Sequence, residues 1–242
     1  QETSALDERC REHSVTVNTA LAAAFAGAQA AVLGAGEAVE KVGVAVDVRE
    51  RLPQPPGAAM GFYAAMVRPR LRYDAGHGFW ENASRLHSAL EDMYDDKHLF
   101  EDLANWLALD PTILEAMHFK RLGSVLQPGV PRYARLASFA RREDTVQSLL
   151  KREGMATLKD IVLGAAVTNL GNVEGPWERG TLAVERMILK PGGAFPLANV
   201  NLVLGAVTVN GRLSLTIEYV EDNVDTPTME KIRDQAVAYL RE

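Results

Sequence analysis

The run Ile161-Val162-Leu163-Gly164-Ala165-Ala166-Val167-Thr168-Asn169-Leu170-Gly171 decides the fold, because it reads as one buried strand ending in hydroxyl, amide and glycine. Its Val and Ile content and the glycines that bound it favour strand over helix. Thr168 and Asn169 then fall where strand gives way to loop, the usual place for groups that touch a ligand. The same two residues also suit a turn, since Asn and Gly accept turn backbone readily. Both readings stay open at this stage.

Working outward, Val42 to Val48 alternates with both faces nearly apolar, as expected of a strand in a sheet covered on two sides. Asp47 and Arg49 stand at its end. A buried Arg is always charged and needs a carboxylate, so Arg49 is expected to form a structural ion pair with Asp47 or Glu174. Pro53, Pro55, Pro56 and Gly57 force an extended connection. A second strand is expected over Met60 to Val67, continuing toward Tyr73, with Pro69 marking an irregular end. Further strands are expected over Thr181 to Leu189, Asn199 to Val209 and Arg212 to Val220. Asn210-Gly211 predicts a two-residue hairpin between the last two, because both residues tolerate positive φ.

Helices fill the rest. Ser4 to Glu12 is a short amphipathic helix, and a second, capped by Thr16 or Asn18, runs to about Leu33 before Gly34-Ala35-Gly36. Its small residues predict close packing against a sheet. Phe79, Ala83, Leu86, Leu90, Met93 and Tyr94 make a helical stripe within Gly78 to about Leu109. Leu103-Trp106-Leu107 and Ile113-Leu114-Met117 mark further short helices, Pro128-Gly129-Val130-Pro131 a linker, and Arg132 to Gly154 a basic surface segment. Thr226-Pro227 is read as cap and first turn of a last helix, with Met229, Ile232, Ala236, Val237 and Leu240 on its buried face. The expected fold is α/β, a mixed β-sheet flanked by helices. In order the chain comprises helices over 1–36, strands with a Pro-rich connection over 37–75, a helical block over 76–154, and a β-rich segment with a final helix over 155–242.

The 242 residues are 47% hydrophobic and 24% charged with a net charge of −6, the composition of a globular protein. An acidic chain does not suit a phosphate backbone, so no nucleic-acid partner is expected. Cys10 stands alone, which rules out an internal disulfide and fits a reducing, cytoplasmic setting. No run reaches the ~18 apolar residues of a membrane span. Leu21 to Leu33 comes nearest and reads as a buried helix. Gln1-Glu2-Thr3 lacks the basic start of a secretory signal.

Candidate chemistry is sparse. His87 and Glu91 are four apart, ordinary neighbours on a helix surface. Asp92, Asp95, Asp96 and His98 match no closed zinc or calcium loop and read as a solvated acidic helix end; no metal is expected. His13, His77 and His118 have no partner in a recognisable register. Phosphate-cradling glycine loops and the Gly-x-Ser-x-Gly elbow do not occur. The residues alone supply no general base.

Four passages in order nevertheless resemble one family. Val46-Asp47-Val48-Arg49-Glu50-Arg51-Leu52-Pro53, Met60-Gly61-Phe62-Tyr63, Phe79-Trp80-Glu81-Asn82-Ala83 and Val167-Thr168-Asn169-Leu170-Gly171 are similar to the C-terminal half of the chloramphenicol-acetyltransferase-like superfamily. That superfamily includes alcohol acetyltransferases, mycobacterial polyketide-associated acyltransferases, plant acyltransferases and peptide-synthetase condensation domains. The resemblance implies one subdomain of a CoA-dependent acyltransferase fold. It also implies acyl transfer from coenzyme A or a carrier-protein thioester to an alcohol, with no permanently bound cofactor. Thr168 would support the oxyanion, Asn169 and Gly171 would shape the substrate wall, and Asp47 and Arg49 would hold the architecture. Such a donor is worth about 3 kcal/mol of barrier when preorganised.

The family's general base lies in its N-terminal half, in a His-x-x-x-Asp motif with a second His before it and a Gly after. The sequence His-His-x-x-x-Asp-Gly does not occur here. The resemblance therefore implies a partner: an N-terminal acyltransferase half, in the same precursor or a second chain, and possibly a carrier protein as donor. Amide formation as in condensation domains, or thioester and carrier binding without turnover, are the alternatives.

Overall fold

The computed structural model describes residues 2–34, 42–57, 59–69, 73–107, 115, 119, 128–129, 133–140, 162–192, 199–221 and 223–242. The chain divides into two compact units, one of residues 1–102, 163–194 and 200–242, the other of 103–162 and 195–199. In the second, helix α5 (Tyr133–Ala140) is described, with Ala137 buried. Expectations for Ile113-Leu114-Met117 and most of Arg132 to Gly154 lie outside the described residues.

The first unit is built on a five-stranded sheet. Its strands are β1 (Val42–Asp47), β2 (Ala64–Val67), β3 (Val162–Asn172), β6 (Asn199–Val209) and β7 (Arg212–Tyr219), in the order β2-β1-β3-β6-β7. The two-residue strands β4 (Glu178–Arg179) and β5 (Leu182–Ala183) form a separate hairpin. β1 runs parallel to β3, with Val42, Gly43 and Val44 opposite Ala165, Ala166 and Val167, and antiparallel to β2. The sheet is mixed, as the order of helices and strands implied.

β6 and β7 pair antiparallel across Asn210-Gly211, whose φ values of 50° and 70° are those of a tight hairpin turn. β2 is shorter than expected, since Met60 to Tyr63 lies outside it; Met60 is 99% exposed and Phe62 73%. Thr181 to Leu189 is likewise no sheet strand. Only Leu182–Ala183 pairs, and Leu182, Val184 and Ile188 are exposed. The Asn210 amide fastens it by donating to the Val184 carbonyl at 2.9 Å.

Helix α1 (Glu2–Glu12) buries Leu6 and Cys10. Burial pushes the Cys10 thiol up to about 11, leaving it protonated near neutral pH. Helix α2 (Val17–Leu33) is buried continuously from Thr19 to Gln29. Thr16 is its cap, accepting from the Thr19 amide at 3.1 Å. Small residues let α2 approach neighbours all round, and its main contacts are helices: α6 (Thr226–Arg241) and α3 (Phe79–Glu91), with β1 a lesser one. Among the described residues no single helix is long and apolar enough to cross a membrane.

The expected stripe beyond Gly78 divides. α3 ends at Glu91, Met93 and Tyr94 lie in the turn, and α4 (Asp96–Leu107) begins anew. Asp95 is the reason, because it caps α4 through the His98 amide at 3.0 Å. α6 is capped by Asp225, one residue before the expected cap, accepting from the Thr228 amide at 2.8 Å. The Thr226 hydroxyl instead meets Tyr219 Oη and Glu221, both at 2.6 Å.

Candidate functional site

Parallel neighbours place like ends together. The C-terminal ends of β1 and β3 therefore carry Asp47-Val48-Arg49 and Thr168-Asn169-Leu170-Gly171 to one end of the sheet, the end at which α/β sheets gather ligands. β2 starts there as well, because it runs antiparallel to β1 with Ala64 opposite Asp47, and it brings Phe62 and Tyr63.

At the end of β3, Thr168 and Asn169 are half-buried and Leu170 is 54% exposed. The strand continues to Asn172, so Thr168 and Asn169 sit within it rather than after it. The pairing with β1 reaches Val167, so Thr168 begins the stretch that β1 no longer covers, with β6 still the neighbour on the other side. Gly171 has φ +68°, a backbone that glycine adopts without Cβ strain, and Asn169 Oδ1 accepts its amide at 2.8 Å. The Asn169 oxygen thus ties down a local bend, as the turn reading required. Its NH2 keeps both hydrogens, and no hydrogen bond to the Thr168 hydroxyl occurs among the described residues. Both are donors on the stretch of β3 that β1 no longer covers.

Arg49 does pair with Asp47, its backbone amide on Oδ1 at 3.0 Å and its guanidinium on Oδ2 at 2.5 Å. The pair is not buried as expected: the Arg49 and Asp47 side chains are 42% and 57% exposed, so it contributes under about 1 kcal/mol. What holds Arg49 is also Tyr63, whose ring centroid lies 5.1 Å from the guanidinium carbon, while the Val48 amide donates to the Tyr63 carbonyl at 2.9 Å. Gly61 permits this arrangement, since a Cβ there would stand 2.6 Å from the Tyr63 ring. Two passages far apart in sequence, Asp47-x-Arg49 and Gly61-Phe62-Tyr63, are thereby one physical unit. Arg51 adds a tie to Asp96 of α4 at 2.9 Å.

The third passage is structural. Asn82 is fully buried; its Oδ1 accepts from the Asp74 amide at 2.9 Å, and its NH2 faces the carbonyls of Asp74, Gly78 and His77 at 2.9, 3.1 and 3.3 Å. Two hydrogens serve three acceptors, so one bond is shared. Sequence reading assigned Asn82 no role, although a polar residue inside an apolar helical stripe was the available signal.

The remaining polar candidates have local duties. His87 is drawn in rather than left in solvent, its Nδ1 3.2 Å from the Thr19 hydroxyl and its Nε2 3.5 Å from Glu91. The bare spacing His-x-x-x-Asp is present once, at His98 and Asp102, without the flanking His and Gly. His98 lies in the first turn of α4 with its Nδ1 2.5 Å from Asp95 Oδ2. The His98 amide, then its ring, hold the Asp95 carboxyl below the usual range, the signature of a helix cap. Among the described residues no three His, Cys, Asp or Glu side chains gather as a metal site.

No protein-family model and no curated sequence matches the chain. Solved structures do. The condensation domain of the monacolin K polyketide synthase MokA is similar over 99% of this chain and 44% of its own length, with TM-score 0.56 and 15% identity. The epimerization domain from the third module of tyrocidine synthetase B matches over 99% and 44%, with TM-score 0.52 and 11% identity. Polyketide synthase associated protein 5 from Mycobacterium tuberculosis matches over 100% and 50%, with TM-score 0.51 and 16% identity. The fold is that of one half of a condensation-domain-like, chloramphenicol-acetyltransferase-like structure, and the chain spans about half the length of the structures it matches.

Proposed function

We propose that this chain is the C-terminal half of an acyltransferase that moves an acyl group from a coenzyme A or carrier-protein thioester to an alcohol. The observation that carries this reading is the half-length condensation-domain-like fold with two donors, the Thr168 hydroxyl and the Asn169 NH2, where β3 runs past its pairing with β1. In the reaction a base in the other half takes the alcohol proton, the oxygen attacks the thioester carbon, and the carbonyl becomes an oxyanion. The C–S bond then breaks, and the thiol leaves with the proton. Thr168 donates to the oxyanion, and Asn169 and Gly171 shape the wall beside it. Asp47, Arg49 and Tyr63 hold the neighbouring strand end.

An amine acceptor is the second reading, since the similar structures include condensation domains. The test joins this chain to the half bearing His-His-x-x-x-Asp-Gly and supplies an acyl-pantetheine with an alcohol or an amine. Ester product supports the first reading and amide the second. Thioester binding without either product leaves a binding module. In the active assembly Thr168→Val should lower kcat by roughly 10²-fold with KM little changed. An unchanged kcat removes Thr168 from the mechanism.

A further inference from the structure

Among the described residues β7 ends the sheet, so one of its edges faces no described strand. The hairpin register fixes what that edge presents. Val209 and Arg212 close the two-residue turn, and a closing pair exchanges its own hydrogen bonds. Arg212, Ser214, Thr216 and Glu218 therefore turn their backbone groups toward β6, while Leu213, Leu215 and Ile217 turn theirs outward. The Leu213 amide shows the phase directly, because it donates to the Thr3 hydroxyl at 3.1 Å. Beyond it, the Leu215 and Ile217 amides have no outward hydrogen bond among the described residues.

An open groove of about 600 Å³ follows this edge between the first turn of α1 and the chain at Arg186 and Ile188. Its charge is uneven. Arg186 has no ion partner among the described residues, and Arg212 reaches the exposed Glu185 only at 3.6 Å. Glu2, the one carboxylate of the lining, is already paired with Arg241 at 2.8 Å. The hairpin end of the groove thus sets two guanidiniums, Arg186 and Arg212, against one loosely held carboxylate, Glu185. Two copies of β7 paired with Arg212 opposite Glu218 would need the Leu213 amide, which Thr3 holds. A short segment that starts past Thr3 does not.

We propose that the outer edge of β7 takes an extended acidic peptide segment as an added strand, its backbone pairing with Leu215 and Ile217 and its carboxylate beside Arg186 and Arg212. Main-chain bonds supply the affinity of such an addition, and the charged end supplies its selectivity. The inference is independent of the acyl-transfer reading and concerns the opposite edge of the sheet from β2.

Fluorescence anisotropy on the full chain tests it, with a labelled peptide of about eight alternating Thr and Val residues ending in paired Glu, and a counterpart ending in paired Lys. The Glu peptide should bind roughly tenfold more tightly than the Lys peptide at low salt, and the gap should narrow as salt rises. N-methylation of alternate peptide amides should abolish binding. The double variant Arg186→Glu with Arg212→Glu should lose the preference while keeping its far-ultraviolet circular dichroism and melting temperature. Equal binding of the two peptides, no binding of either, insensitivity to N-methylation, or sedimentation showing that a second copy occupies the edge would each overturn the proposal.

Discussion

Asn82 and Asn169 both lie in passages that resemble the same family, and the fold uses them in opposite ways. Asn82 is fully buried, and both ends of its amide are engaged by the backbone of residues 74–78. Asn169 is half-buried, gives its oxygen to the Gly171 amide, and keeps its NH2. The comparison separates an asparagine that builds a loop from one that still has hydrogens to offer. A buried amide must satisfy every polar atom inside the protein, whereas an amide at an opening can leave one end for a ligand.

The largest expected effect is on stability. Asn82→Ala removes the buried amide that ties the Asp74 amide and the carbonyls of Asp74, His77 and Gly78 together, and should lower unfolding free energy by about 2–3 kcal/mol in urea titration. A loss below about 0.5 kcal/mol would erase the contrast with Asn169. Next comes Asn169→Ala, which removes one partly solvated bond and should cost about 0.5–1.5 kcal/mol. Asn169→Asp sharpens the comparison, because it keeps an oxygen for the Gly171 amide and deletes only the NH2. Its urea midpoint should stay near that of the parent while turnover of the reconstituted enzyme falls. If stability falls and turnover does not, Asn169 is structural like Asn82. Smallest is Arg49→Ala, where an exposed ion pair and one ring contact should account for less than about 1 kcal/mol.

Local signals carried well where they closed on themselves. Asn210-Gly211 needs only its own backbone to make a turn, and the apolar alternation of Val42 to Val48 needs only a covered sheet; both are found in the structure. Thr181 to Leu189 is also largely apolar, yet its Leu182, Val184 and Ile188 are exposed and only Leu182 and Ala183 join a strand. Periodicity states that a face wants burial, not what buries it. The Asp92–Asp95 break in the helical stripe was legible as acidic residues but not as a stop, because a cap competes with helix continuation by one hydrogen bond.

At the candidate site, the type and order of Thr168, Asn169 and Gly171 were visible, and so was the Asp47–Arg49 pair. Its exposure was not, because Tyr63, the ring that packs on Arg49, comes from the chain just before β2 through the space left at Gly61. Sequence spacing cannot show a ring folding back onto a neighbouring loop. The same limit hid Asn82, whose acceptors precede it by four to eight residues.

The first and last helices are stitched end to end: Arg9 donates to the Leu240 carbonyl at 2.7 Å, and Arg241 meets Glu2 at 2.8 Å. A brief glycine bridge could therefore fuse the two extremities, with fresh ones opened at the solvent-facing Gly180-Thr181 tip, and the rearranged polypeptide would still reach the same architecture.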